Sequence, residues 1–368
     1  MSAPATDGSG GEAAPSSPGG RGLLPPRWVR RVVIAPAFVL GALIFLLAMP
    51  IWLLVAAFVS RLVPGRWRIL RVAWFLFVYL WWEAVALVCL FAMWIASGFG
   101  HAIPSAAWQR RHYAFASWWL DRVMGSARRT FRLKIDHEVG DLDERSPNPV
   151  LVFSRHAGPG DSFLLVDELL NVADRQPRIV LKDMLQMDPT VDVLLNRVPT
   201  KFVPSHGRAG QTVTHSIAEL ASGMGSDDAL VLFPEGGNFT PGRHERAVAK
   251  LLEIGRPVLS ERASRMRHLL PPKPLGALTA IDAAPHADVV FVGHVGLEQL
   301  STMRDLWRGI PLDAAVRSRL WRVAAADIPP PDERESWLYD QWEMIDDWIE
   351  EQVAIGDIAP VPGPAAEA

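Results

Sequence analysis

A chain of 368 residues with a single cysteine, Cys89, cannot form an internal disulfide, and that cysteine lies in an apolar run where packing is its simplest role. Nor is there an excess of one charge sign. Thirty-seven basic residues against 40 acidic ones leave a formal net charge of -3, which argues against the broad basic face that nucleic-acid backbones require. No His-Glu-x-x-His pair occurs, the histidines are scattered, and one cysteine cannot build a thiolate site, so metal catalysis has no sequence support. A Gly-x-Ser-x-Gly elbow is also missing, which argues against a serine hydrolase. What the chain has instead is apolar length and tryptophan, with 15 of the latter.

Residues 1–26 are rich in Gly, Ser, Ala and Pro and read as a disordered leader; the first apolar run starts too late for a signal peptide. That run, 32–60, has no charged side chain, and a second, 72–99, has only Glu83. Each exceeds the roughly 20 residues a spanning helix needs. Trp74, Trp81, Trp82 and Trp94 suit a stretch that meets lipid headgroups. The arginines resist two ordinary spans, because Arg27, Arg30 and Arg31, then Arg61, Arg66, Arg68 and Arg71, then Arg110 and Arg111 flank the runs in turn. The positive-inside rule keeps all three clusters on the cytoplasmic face, which favours two helices that dip into one leaflet and return, kinked at Pro36 and Pro50. Two full crossings are the alternative.

Beyond residue 100, β-rich runs at 150–153, 178–181, 229–233 and 288–293 alternate with helical patterns at 162–173, 212–223 and 244–254. This alternation predicts an α/β domain with a mixed, largely parallel sheet covered by helices, its working groups at the carboxyl ends of strands. Residues 333–352 predict a terminal amphipathic helix with Trp337, Trp342, Ile345 and Trp348 on its apolar side. The resulting division is a leader at 1–26, a pair of apolar membrane helices within 27–100, the α/β domain at 101–354 and a loose tail at 355–368.

Two segments carry chemistry. In Ser154-Arg155-His156-Ala157-Gly158-Pro159-Gly160-Asp161-Ser162, a β-run ends before His156, the glycines and proline enforce a turn, and Asp161 starts the next helix in an N-cap position. An aspartate there can fix the imidazole tautomer so that the other ring nitrogen takes a proton from a hydroxyl. A helix cap beside a surface histidine accounts for this segment equally well. In Leu232-Phe233-Pro234-Glu235-Gly236-Gly237-Asn238, a second β-run enters a glycine-rich turn with a carboxylate at the strand end, as suits ligand binding or an ordinary loop.

Taken in order, the two segments resemble the glycerolipid acyltransferase family, which includes 1-acylglycerol-3-phosphate and lysophospholipid acyltransferases. That family pairs His-x4-Asp with a later Phe-Pro-Glu-Gly. Lys182-Asp183-Met184-Leu185 with Asp188-Pro189, the stretch 200–205 and the late β-run from Asp288 are similar to its intervening and final blocks, so the resemblance spans about 148–300. It implies a membrane-bound enzyme with its domain on the cytoplasmic face, moving an acyl group from acyl-CoA or acyl carrier protein to a lysophospholipid hydroxyl. No other cofactor is implied. His156 would be the general base and Asp161 its partner, with Glu235, Gly236, Gly237 and Asn238 at the acceptor and the Gly158 and Gly160 amides facing an oxyanion. The departures concern phosphate: the family's two arginines are replaced by Asn238 and Ser205. Lys182, Lys201, Arg208 and Arg243 are the candidates to replace that charge. A catalytically inactive scaffold of the same fold, binding lipid or partner proteins, is the rival reading. If the apolar pair dips into one leaflet, a cysteine placed at Leu62 should be labelled by an impermeant reagent only from the cytoplasmic side of sealed vesicles; labelling from outside alone would establish two crossings.

Overall fold

The computed structural model describes residues 24–138, 146–158, 160–204, 209–297, 307–312 and 315–355. The expected leader up to residue 23, the tail from 356, Pro159, Ser205 and Arg208 lie outside the described residues. Eleven helices and seven strands carry the argument. The helices are α1 (Arg27–Leu47), α2 (Met49–Ser60), α3 (Arg68–Ala96), α4 (Ala106–Phe131), α5 (Asp161–Asn171), α6 (Pro189–Leu195), α7 (Ala209–Ser222), α8 (Pro241–Glu253), α9 (Pro257–Arg265), α10 (Pro274–Ala283) and α11 (Arg334–Ala354). The strands are β1 (Lys134–Glu138), β2 (Val150–Ser154), β3 (Gln176–Lys182), β4 (Thr200–Val203), β5 (Asp228–Leu232), β6 (Asp288–Val295) and β7 (Ala315–Val323).

The strands form one sheet in the order β1-β7-β6-β2-β5-β3-β4. Strands β2 to β6 run parallel to one another, β7 pairs antiparallel to β6, and β1 runs with β7. The sheet is thus mixed and largely parallel, as the alternation of strands and helices predicts. Along β2, Leu151 and Phe153 face one side with Leu230, Leu232, Val289 and Phe291, against α7, α10 and α11. Val150 and Val152 face the other with Ala229, Val231, Val290 and Val292, against Leu165 and Leu169 of α5. This period-two division of continuous apolar strands is what burial on both faces requires. The outer side of α5 packs on α4, and α4 on α3, through Leu164, Val166, Leu170, Trp119, Val123, Phe75 and Trp82. Helix α4 therefore stands between the apolar helices and the sheet.

Two helices, Arg27–Leu47 and Arg68–Ala96, are long and apolar enough to cross a membrane by length and composition. The first apolar run is not one helix. It breaks at Ala48, two residues before Pro50, whose missing N–H falls harmlessly in the first turn of α2. At Pro36 the helix continues, preceded by a π-helical turn over Arg30–Ile34, which makes room for a ring that would otherwise press on the carbonyl four residues back. Many apolar side chains here face outward, among them Leu40, Ile44, Leu47, Ile51, Leu54 and Phe58.

The apolar helices are fastened to the α/β body. Arg30 and Arg31 both reach Asp192 of α6, at 2.7 and 3.3 Å. Helix α3 is held at three levels: Arg68 donates to the carbonyls of Arg308 and Ile310, Tyr79 donates to Asp188 at 2.7 Å, and Arg197 donates to the carbonyl of Leu90 at 2.8 Å. Residues 68 and 90 are roughly 33 Å apart along a helix. Helix α3 lies along the body rather than leaving it end-on.

Candidate active site

Parallel strands put the carboxyl ends of β2 and β5 side by side, with Phe153 opposite Leu232, so the turns that follow must meet. They do so around His156. Its Nδ1 lies 2.7 Å from Asp161 Oδ2, and its ring packs on Phe233 with centroids 4.7 Å apart. The His156 side chain is 25% exposed and that of Asp161 only 2%, so the imidazole is presented at the surface by a carboxylate hidden beneath it.

Asp161 is not an N-cap. Gly160 holds that position, and Asp161 is the first residue of α5. Its carboxylate turns back into the turn, where Oδ2 also accepts from the amides of Ala157 at 2.8 Å and Gly158 at 3.1 Å, and Ser162 Oγ reaches Oδ1 at 3.2 Å. Burial pushes this carboxyl up, but the bond from His156 and the fields of His294 and His156 outweigh it and hold Asp161 below its ordinary range. An ionised Asp161 is the partner that selects a proton on Nδ1 and leaves Nε2 free to accept one. The Gly158 amide, expected to face an oxyanion, donates instead to Asp161, because a buried carboxylate needs every donor within reach. Gly160 is exposed at the helix start.

Glu235 occupies a different place from an exposed ligand-binding carboxylate. It is 2% exposed, and its two oxygens accept from the amides of His156 at 2.8 Å and Leu270 at 2.9 Å. The Phe239 amide, in turn, donates to the His156 carbonyl at 3.3 Å. The two catalytic-edge turns are therefore laced together through the backbone of His156, and Glu235 acts on the imidazole by fixing the chain that carries it. Burial raises the Glu235 carboxyl to about 7, against the opposing field of Arg155 and the two amide bonds.

Sequence reasoning missed what supports this arrangement. Arg155 is 1% exposed and donates to the carbonyls of His294 and His268. Asp346, on α11, accepts from the amides of Arg267 and His268, both at 2.8 Å, and burial raises its carboxyl. Trp342 Nε1 donates to the Leu270 carbonyl at 3.1 Å, and the Lys273 amide donates to the Pro234 carbonyl at 2.9 Å. Residues 266–273 are thus a strap beneath the site, tied by Glu235, Asp346, Trp342 and Arg155. One signal was available: Asp346 falls on the stripe of Trp342, Ile345 and Ile349 at helical spacing, where an acidic residue must face the interior.

The remaining candidates separate. Gly236 has φ +69°, and a Cβ there would lie 2.6 Å from Lys273 Nζ, so the exposed Lys273 ammonium rests over this turn. Arg243, capping-adjacent on α8, reaches the Asn238 carbonyl at 3.2 Å and lies 3.3 Å from where a Gly237 Cβ would be. Lys201 is drawn off to Glu219 of α7 at 2.5 Å. Lys182 is exposed at the end of β3, two strands from β2. Among the described residues, no group of three or more His, Cys, Asp or Glu is arranged to hold a metal.

Comparison with known proteins gives three findings. Residues 137–272 match the profile of the family described as Acyltransferase. No curated protein matches. Among solved structures, the 1-acyl-sn-glycerophosphate (LPA) acyltransferase PlsC from Thermotoga maritima is similar over 73% of this chain and 97% of that chain, at 12% identity and a TM-score of 0.43.

The Glu235 clamp has a pH signature. A carboxyl lifted from an ordinary 4.5 to about 7 stabilises the fold in its protonated form, so its contribution is complete below 4.5 and is lost as pH rises through about 7. Glu235→Gln retains only one acceptor oxygen and strands one amide. We expect thermal melts of the native chain to decline across that rise and those of the variant to stay flatter, with turnover about tenfold or more slower in the variant. An equally steep decline in both would place the titration elsewhere.

Proposed function

We propose that this chain, whose residues 137–272 match the profile of the Acyltransferase family, moves a fatty acyl group from an acyl thioester to the hydroxyl of a lysophospholipid, with His156 as general base. The reading rests on one observation above all: an exposed imidazole whose inner nitrogen is committed to a buried carboxylate, leaving the outer one available. His156 Nε2 takes the proton of the acceptor hydroxyl as its oxygen bonds to the thioester carbonyl carbon. Collapse of the tetrahedral intermediate breaks the C–S bond, and the imidazolium returns its proton to the departing thiolate. The thioester of coenzyme A or acyl carrier protein is already activated, so no covalent enzyme intermediate and no cofactor is required.

The acceptor is a lipid, and the apolar helices would bring the enzyme to it. An α3 fastened along its length to a charged body suits helices sunk in one leaflet better than a pair that crosses and leaves the body behind. Exposed Met184, Leu185 and Met187 extend the apolar surface beside Gln186, which Arg30 contacts. The cluster of arginines at the helix ends favours the cytoplasmic face. For the acceptor's phosphate, Lys273 and Arg243 over the Gly236–Asn238 turn are the best-placed cations, since neither has a carboxylate partner among the described residues.

His156→Ala should reduce acyl transfer about 10²- to 10⁴-fold while leaving the melting temperature near that of the native chain, because the ring is partly exposed. Retained turnover would overturn the scheme, and failure of the native chain to acylate any member of a lysolipid panel would favour the scaffold reading. Lys273→Gln should raise KM about tenfold for lysophosphatidate and leave it unchanged for a phosphate-free monoacylglycerol. Equal effects on the two acceptors would remove Lys273 from phosphate recognition.

A further inference from the structure

Where the N-terminal end of α3 meets the C-terminal end of α4, the two helices leave a cleft of about 440 Å³ lined by Leu70, Arg71, Trp74, Val78, Ser126, Arg129 and Thr130. This is a volume typical of small-ligand sites. Leu70, Trp74 and Val78 recur every four residues on α3 and make one apolar wall. The only charged groups in the lining are two guanidiniums. Arg71 gives its protons to the carbonyls of Thr130 and Arg66, and Arg129 is exposed, so neither is neutralised by a carboxylate among the described residues. Ser126 Oγ donates to the Arg122 carbonyl and keeps lone pairs to accept with. Cations without counter-charge, set above an apolar wall, call for an amphiphile with an anionic head.

The surroundings say where that amphiphile comes from. Trp67 and Trp74 are both exposed at this end of α3, as is usual at the level of lipid headgroups. Arg68, next to Trp67, stacks on Trp307 with 5.6 Å between guanidinium and ring centroid. Leu133, three residues beyond Thr130, packs against the cluster of Ala157, Leu297 and Val316, so the chain that leaves the cleft runs on to the neighbourhood of the His156 turn.

We infer that the α3–α4 cleft binds one anionic phospholipid of the leaflet, its phosphate between Arg71 and Arg129 and the start of an acyl chain along Leu70, Trp74 and Val78. The forked guanidinium matches phosphate oxygens in pairs, which a zwitterionic head with its own ammonium would satisfy less well. The bound lipid would set the catalytic edge at a fixed height over an anionic membrane. This inference rests on the membrane-facing reading of α1–α3 but not on turnover.

Arg129 is the residue to change, because it holds nothing else in place. Native mass spectrometry of the detergent-solubilised full chain, titrated with dioleoylphosphatidylglycerol or dioleoylphosphatidylcholine, should show one phosphatidylglycerol retained in preference to phosphatidylcholine. Arg129→Gln should weaken that retention about tenfold or more, and Trp74→Ala should weaken both lipids, whereas His156→Ala should bind as the native chain does. KM for a soluble short-chain lysophosphatidate should be unaltered in Arg129→Gln. Undiminished phosphatidylglycerol retention would overturn the site, and a raised KM for the short-chain acceptor would reassign the cleft to the substrate. A native chain that binds phosphatidylglycerol yet acylates nothing would sink the proposed activity and leave the site standing.

Discussion

A buried carboxylate that accepts two backbone amides from different parts of the chain holds this site together. Glu235 follows β5, His156 follows β2, and Leu270 lies in the strap that precedes α10. None of these segments is regular structure at the point of contact, so no helix or sheet ladder supplies their hydrogen bonds. The carboxylate does. Its removal from water is costly, and the cost is offset by two amides and by the field of Arg155, itself buried among carbonyls. A polar group so placed is worth little to stability in isolation, but it fixes the position of one backbone atom of His156. For the proposed role of this imidazole, which requires a hydroxyl within hydrogen-bond reach, position is what matters most.

The same logic runs outward in layers. Asp161 orients the imidazole, Glu235 orients its backbone, and Arg155 and Asp346 hold the strap against which Glu235 works. Beneath the partly exposed imidazole, Asp161, Glu235, Arg155 and Asp346 are all buried. Among the described residues around this turn, His156, Lys273 and Arg243 carry polar groups to the surface above a buried, hydrogen-bonded base. On the far side of α5 the arrangement is reversed: α4 carries the apolar helices, whose outward side chains are exposed among the described residues, and arginines tie them to carbonyls and to Asp192.

How much of this was legible in the sequence depended on whether the signal was local. Strands β2, β5 and β6 were readable because continuous apolar runs end in glycine or polar turns. His156 and Asp161 were readable because their spacing and turn residues sit together. Strands β1 and β7 were not, since KIDHE at the sheet edge and the alternating AVRSRLWRV beside it are polar strands whose pairing is decided by distant partners. Glu235 was found but its role was misjudged, because glycines beside a carboxylate read as an open loop, while its burial depends on the strap and on α11 over a hundred residues later. Lys273 gave no signal at all. It becomes visible only when Gly236, at positive φ, brings the turn beneath it.

The last helix has a consequence for how the molecule comes into being. Trp342 and Asp346 of α11 hold the strap, and β6, which flanks β2, also lies beyond residue 272 where the family match ends. The matched stretch therefore leaves out two elements that border the site. On the ribosome, His156 and Asp161 are made long before Trp342 and Asp346. A chain interrupted before α11 would hold the turns of His156, Asp161 and Glu235 and lack the two side chains that tie the strap beneath them.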